Sequence, residues 1–300
     1  MPADAEEFEA LRGHLLRVGY RVTGSIADAE DAVQDAWLRW SGMSDAERAR
    51  VRDLRAFLTT AVARLCLDRL RSAAAHRERY VGPWLPEPLV TTGPDDPLAA
   101  VVQDEGVRMA AMLVLERLTP PQRVALVLHE ALDLPYAAIA EVLGCPEATA
   151  RQYAARARRI VADAAPPPPA DAAEQAAVLD AFAAALARGD QAALVELLHP
   201  DAVYVADSGG AAKAARRPVV GADKITRLLL GLLEAYGPAL ATGWTPVLVN
   251  GDLGLAAPAD GDLPAGVVTV AVSEGRIAGI YQVVNPAKLA PGRPRRSPGR

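Results

Sequence analysis

The sequence predicts a multidomain fold, two all-α modules of which the second closes in a helix-turn-helix, followed by an α+β domain. Three observations carry that reading. Apolar residues recur at helical spacing from Phe8 to Val161, four successive prolines (Pro166 to Pro169) end the pattern, and helices then give way to alternating runs with glycine turns. At 300 residues the chain has room for about two or three domains.

Residues 1–80 form the first helical module. Leu11, Leu15 and Val18 make one apolar stripe; Ala29, Val33, Ala36, Trp37 and Trp40 make another, with both tryptophans expected in the core. The prolines of VGPWLPEPLVTTGPDDP, residues 81–97, forbid a continuous helix and mark a linker. Helix is expected to resume at Leu98, because Val107, Ala110, Ala111, Val114, Leu115 and Leu118 keep the 3.6-residue period up to Thr119. There TPPQ reads as a helix start, with Thr119 as cap, Pro120 in the first turn and Gln122 as the reciprocal member of a capping box. The helix it opens is predicted over Pro121 to Ala131.

Leu134 to Val161 completes the second module, residues 98–164, as a helix-turn-helix. Ile139, Val142 and Leu143 give the apolar side of its first helix, and Gly144 supplies the positive φ that a tight turn needs. On the second helix Ala150, Tyr153, Ala154, Ala157, Ile160 and Val161 share one arc. Thr149, Arg151, Gln152, Ala155, Arg156, Arg158 and Arg159 cover the rest, with no acid between Thr149 and Ile160. Such a face can hold phosphates and read base edges in a major groove.

A proline linker, residues 165–171, leads to the α+β domain, residues 172–290. Helices are predicted over Glu174 to Arg188 and on to Leu198, and HPDAVYVADSGG is an alternating strand entering a glycine turn. A helix follows at Ala222 to Ala235, then strands, of which VVTVAVSEGRIAGIYQVV is a hairpin turning at Glu274-Gly275. Residues 291–300, PGRPRRSPGR, form a basic tail expected to be disordered.

A formal net charge of −5 argues against nucleic acid until it is divided along the chain. Between Arg48 and Arg79 nine arginines face only Asp53, Asp68 and Glu78, whereas Asp4 to Glu47 is mostly acidic. Cys66 and Cys145 match no metal-ligand or redox spacing, so a reduced cytoplasmic compartment is the default; no metal or other cofactor is expected. There is no signal peptide and no apolar run of membrane-spanning length, which points to a cytoplasmic protein without a membrane partner.

These pieces resemble a family. GSIADAEDAVQDAWLRW, Gly24 to Trp40, is similar to region 2 of the extracytoplasmic-function sigma factors of bacterial RNA polymerase, and the helix-turn-helix resembles their region 4. WLPEP (Trp84, Leu85, Pro86, Glu87, Pro88), DSGGA (Asp207, Ser208, Gly209, Gly210, Ala211) followed by AARRPVVG, and NPAKL (Asn285 to Leu289) resemble the subgroup with a SnoaL-like C-terminal domain. The resemblance spans Phe8 to Leu289. It implies a cone-shaped α+β fold like that of nuclear transport factor 2 and a regulatory role in cis. A tryptophan in a proline-stiffened loop is a good docking anchor, so the DSGGA turn is expected near WLPEP, with both as cis-regulatory contacts.

The resemblance also assigns partners. Asp28, Glu30, Asp31, Gln34 and Asp35 would dock on core polymerase. Arg64, Arg69, Arg71, Arg77 and Arg79 would hold the strand of the downstream promoter element, from which a base leaves the stack. Thr149, Arg151, Gln152, Arg156, Arg158 and Arg159 would hold the upstream element. Two positions depart from the pattern. Pro146-Glu147 replaces Ser-Pro, so a hydroxyl cap is missing and an acid stands at the positive helix end. Ala211 replaces a basic residue, and Lys213 could substitute only if the turn shifts.

The function expected is transcription initiation without catalysis, by a chain that is monomeric when free; an ordinary repressor using one helix-turn-helix is disfavoured by the region 2 resemblance and by the absence of a dimerisation segment. The rival class is a ligand-sensing or catalytic cone fused to a DNA-binding module. For catalysis the candidates are His199, Asp201, Tyr204 and Asp207, although HPDA more often serves as a turn at a helix-to-strand junction.

Overall fold

The computed structural model describes residues 2–77, 80–91, 96, 98–102, 105–168 and 170–289, without the side chains of 2–4 and 73–77. Arg79, the Arg77 side chain and the tail 291–300 lie outside it. The chain divides into two compact units, Met1–Arg79 with Leu89–Pro168, and Tyr80–Pro88 with Pro169–Arg300.

The first unit is helical: α1 Pro2–Thr23, α2 Ile26–Ser41, α3 Asp45–Arg48, α4 Leu54–Arg77, the two-residue strand β1 Val90–Thr91, α5 Ala99–Val102, α6 Met109–Leu115, α7 Pro120–Glu130, α8 Tyr136–Leu143 and α9 Glu147–Ala164. Ser25 caps α2 by accepting from Asp28 N at 3.3 Å, and Ser44 and Glu47 form a capping box on α3. Where α1 crosses α2, a Cβ at Gly19 would lie 2.8 Å from Ala29 Cβ, so only glycine permits this approach. Both predicted stripes are buried here. Trp40 packs on Phe57 at 5.5 Å, and Trp37, half-buried, on Phe8 at 4.6 Å.

One core serves both helical modules, running from Leu15 and Leu58 to Ile139 and Ala154. Full burial of each such leucine contributes about 1.5–3 kcal/mol. A buried cation crosses this core. Arg123 of α7, 1% exposed, donates from Nε to the Arg21 carbonyl at 2.9 Å, and its Nη1 lies 2.5 Å from Glu116 Oε1. Cys66 is buried in the same core, which pushes its thiol up to about 12 and leaves it inert.

The helix expected from Leu98 to Thr119 is not continuous. It is cut into α5, a 3₁₀ turn at Glu105–Val107 and α6, which ends at Leu115. At the break the Arg21 guanidinium lies against Gly106, 2.6–2.8 Å from where a Cβ would stand. The Thr119–Gln122 capping box forms as expected.

The second unit contains α10 Ala172–Arg188, α11 Gln191–Leu197, β2 Leu198–Asp207, β3 Val219–Val220, α12 Ala222–Tyr236, β4 Thr245–Val249, β5 Asp252–Ala257, β6 Gly266–Ser273, β7 Arg276–Val283 and α13 Pro286–Leu289. Its strands lie in the order β4-β5-β6-β7-β2-β3, antiparallel except for β2 with β7. Helices α10 and α12 cover one face, with Phe182 and Leu229 meeting Val270 and Ile280 in the core. Buried Gln175 is fully used, donating to Ala170 O and Asp252 Oδ1 and accepting from Leu253 N. The β6–β7 hairpin turns at Glu274 (φ 53°) and Gly275 (φ 70°), the two positive φ values of a type I′ turn.

One expectation needs correction. β2 does not alternate to its end: Tyr204 and Ala206 join the core of the second unit and the Asp207 carboxylate accepts from Leu85 N, so Tyr204 to Asp207 are all buried. The first part of the linker, residues 80–88, is a strap that belongs to the second unit, with Leu85 fully buried.

Candidate nucleic-acid interface and the buried motif cluster

The helix-turn-helix stands as the spacing predicts. Gly144 closes α8 in the left-handed region at φ 65°, and its missing Cβ would meet nothing within 4 Å, so backbone conformation alone asks for glycine. Ala150, Ala154 and Ala157 of α9 are buried, with Tyr153, Ile160 and Val161 half-buried beside them. Arg151, Gln152, Arg156, Arg158 and Arg159 are exposed on the other side, with Thr149 half-exposed at its edge.

The arginines are not equivalent. Arg151 pairs with Glu147 at 2.8 Å and lies 5.1 Å over the Tyr136 ring. Arg158 pairs with Glu130 at 3.1 Å and donates to the Tyr136 hydroxyl at 3.1 Å. Arg156 and Arg159 have neither restraint in the contacts found. The N-cap of α9 is Pro146 with no side-chain bond, as the departure from Ser-Pro implies, and Glu147 is its first residue.

On α2, Glu30, Asp31 and Gln34 are exposed and Asp28 and Asp35 half-buried, so the acidic face exists. Arg69 of α4 reaches it, donating to Asp31 Oδ2 at 3.0 Å and Asp35 Oδ2 at 2.9 Å. A residue expected on DNA is thus paired with two expected on polymerase. Burial disfavours the Arg69 charge, but the two carboxylates outweigh that and raise its pKa. Exposed Arg64 donates to the Glu141 carbonyl of α8 at 3.0 Å, and exposed Arg71 lies 3.7 Å from Asp68.

The second unit gathers all three short motifs around Asp207, which is fully buried at the end of β2. Its Oδ1 accepts from the Tyr80 hydroxyl and from Gly209 N at 3.2 Å; its Oδ2 accepts from Leu85 N at 2.9 Å and Lys288 Nζ at 2.6 Å. Lys288 also donates to the Leu85 carbonyl, and its Nζ stands 3.2 Å from the centroid of the Trp84 ring. Tyr80 meets Trp84 edge-on at 4.9 Å, and Asn285 Nδ2 donates to the Tyr80 hydroxyl at 2.7 Å. Burial first, and Asp207 second, push the Tyr80 phenol well above its ordinary range.

WLPEP and DSGGA residues therefore meet, and Leu85 and Asp207 do so directly. The cation is Lys288 of NPAKL, whereas Ala211 and Lys213 are exposed. Tyr80, Asn285 and Lys288 were missed as partners; the NPAKL motif was the available signal for two of them. Of the catalytic candidates, Asp207 is held by Lys288; His199 and Asp201 lie not in a turn but in the first half of β2, where the register on β7 shifts between Leu198 and Val203 and His199 Nδ1 accepts from Asp201 N at 3.2 Å. Among the described residues no helix is long and apolar enough to cross a membrane, and no His, Cys, Asp and Glu cluster could hold a metal ion.

Comparison with known proteins agrees with this geometry. Residues 8–76 match Sigma-70 region 2, and residues 108–161 match Sigma-70, region 4. The chain is 48% identical to the ECF RNA polymerase sigma factor SigJ of Mycobacterium tuberculosis H37Rv, covering 95% of this chain and 93% of that one. It is 34% identical to the probable ECF RNA polymerase sigma factor SigI of the same species, covering 95% and 94%. The crystal structure of M. tuberculosis SigJ matches with a TM-score of 0.79 at 46% identity, covering 95% of this chain and 98% of that chain. Two sigma regions in one helical unit, followed by a SnoaL-like α+β unit, thus place the chain in the extracytoplasmic-function RNA polymerase sigma factors, as a factor of promoter-directed transcription initiation.

Proposed function

We propose that the chain, monomeric and cytoplasmic when free, joins core polymerase through the acidic face of α2. It holds the upstream promoter element with α9 and the downstream element with the arginines of α4. The α9 reading rests on four exposed arginines opposite a buried alanine stripe, which suits phosphate contact and base-edge reading together. Because Arg69 bridges to Asp31 and Asp35, and Arg64 to α8, engagement requires these contacts to be exchanged for nucleic acid and polymerase.

The second unit regulates in cis without catalysis. The observation that carries this is the strap 80–88, which joins the two sigma regions in sequence yet is fastened by Asp207 and Lys288 of the second unit. Any change in that fastening alters the freedom of the two regions to part. Copurification of tagged full-length chain with core polymerase tests the first claim, and loss of binding on reversing Glu30, Asp31 and Gln34 to lysine tests the docking face. Retention by the triple variant would place the docking face elsewhere.

A further inference from the structure

The helical unit holds a small polar cavity of about 80 Å³ where α1 and α4 meet the end of α7. His14, Arg17 and Arg21 of α1 and Arg55 of α4 line it, and among the described residues lining it there is no Asp or Glu. We propose that this cavity is a binding site for a single tetrahedral oxyanion such as phosphate, which fastens α7 to α1 and α4.

Charge and size select that class. Three arginines line one small space, and a guanidinium presents planar N–H donors that match the oxygens of a phosphate. An anion among like charges relieves their mutual repulsion. The volume holds about five waters at ~15 Å³ each, far below the ~300 Å³ at which sites for organic ligands begin. One phosphoryl group fits there; a nucleotide base does not.

His14 stands where such an ion would be felt. Its Nδ1 lies 3.3 Å from Arg55 Nη2 and its Nε2 3.2 Å from Thr59 Oγ1, which ties the ring of α1 to α4. After burial, the charges of Arg55 and Arg17 lower its pKa, so the arginines set a positive field at the ring. An anion beside the ring favours the imidazolium and raises that pKa. To the cavity α7 adds Val127 and no charged side chain, and the Val127, Leu128 and His129 carbonyls already accept from Ala131 N, Leu134 N and Asp133 N. Arg55 and Val127 lie in the two matched sigma regions, so an ion here ties those regions together. That consequence rests on the function proposed above; binding itself does not.

The test uses full-length protein without polymerase and inorganic phosphate, with sodium chloride at matched ionic strength to control for screening. Phosphate, unlike chloride, is expected to raise the thermal midpoint saturably and to slow hydrogen exchange of the α7 amides. Arg55→Gln, at an exposed residue, should weaken phosphate binding in calorimetry at least about ten-fold, the weight of one charge-assisted hydrogen bond. Arg55→Glu should abolish the response and raise the midpoint without phosphate, because it supplies the negative charge itself. Sulfate, which keeps both its charges as the pH falls, should move the His14 titration followed by NMR upward from about 4. Adenosine monophosphate separates the sources: affinity equal to that of phosphate assigns the site to a phosphate ester, weaker binding to the free ion, and both support an oxyanion site. Equal effects of phosphate and chloride, unchanged affinity in Arg55→Gln, an unmoved His14 titration, or α7 exchange indifferent to phosphate would overturn the proposal.

Discussion

Lys288 Nζ lies 2.6 Å from Asp207 Oδ2, with both side chains almost wholly removed from water and the two residues 81 positions apart in sequence. Neither charge is tolerable there alone. Each is completed by the strap, Asp207 by Leu85 N and the Tyr80 hydroxyl, Lys288 by the Leu85 carbonyl and the Trp84 ring. The pair therefore holds residues 80–88 by making their absence costly.

Removing one partner should be worse than removing both. Asp207→Leu or Lys288→Met alone is expected to destabilise the second unit by about 3–5 kcal/mol, because a buried charge is left uncompensated. Asp207→Leu with Lys288→Met should cost less than the two single changes summed. Denaturant unfolding of the four proteins gives the coupling; strict additivity would show that the two charges do not interact.

Arg123 offers the same physics in the helical unit. Its Glu116 partner is 12% exposed, so Arg123→Ala should cost about 3–5 kcal/mol, and Arg123→Met with Glu116→Gln markedly less. A loss below about 1 kcal/mol for Arg123→Ala by urea unfolding would contradict the reading.

His14 predicts an acid-side loss of stability. Burial first, then the charges of Arg55 and Arg17, lower its pKa from 6.5 to about 4. Its Nδ1 lies 3.3 Å from Arg55 Nη2 and its Nε2 3.2 Å from Thr59 Oγ1. Because the folded pKa is depressed, the unfolded chain binds the proton first. The contribution is complete above about pH 6.5 and is lost as pH falls toward 4. The thermal midpoint of the wild type should drop across that window more than that of His14→Gln; parallel curves would remove His14 as the cause.

The arginines of α9 should separate in a salt titration of DNA binding. Arg156→Ala and Arg159→Ala are each expected to lower the salt slope by about one. Arg158→Ala should change it less, since Glu130 and Tyr136 already hold that side chain. Glu147→Gln releases Arg151 and removes an acid from the helix tip, so affinity and slope should both rise. Equal effects from Arg156 and Arg158 would show that the intramolecular pairs dissolve at no cost on DNA.

What could be read in advance was local or short in range. Gly144, the Thr119–Gln122 box and the Glu274-Gly275 turn are fixed by backbone conformation and neighbouring side chains, and each stands where the residues place it. The alanine stripe of α9 followed from one period. The misses are long-range. Nothing near Gly106 announces that Arg21 will pack against it, and nothing near Arg123 announces a carbonyl from α1. Arg69 read as a free cation because its carboxylates lie on another helix. WLPEP marked the strap, but its burial depends on Asp207 and Lys288, which only the folded sheet brings beside it.

The central claim is that the helical unit directs polymerase and that the second unit governs it through the strap. Reconstituted transcription with core polymerase and full-length chain, on a promoter library, measures both. The account predicts promoter-specific transcripts that are lost in Arg156→Ala with Arg159→Ala and changed in yield by Lys288→Met with the helical unit still folded. No promoter-specific transcript from the full-length chain would contradict the first half, and an unchanged yield from Lys288→Met would contradict the second.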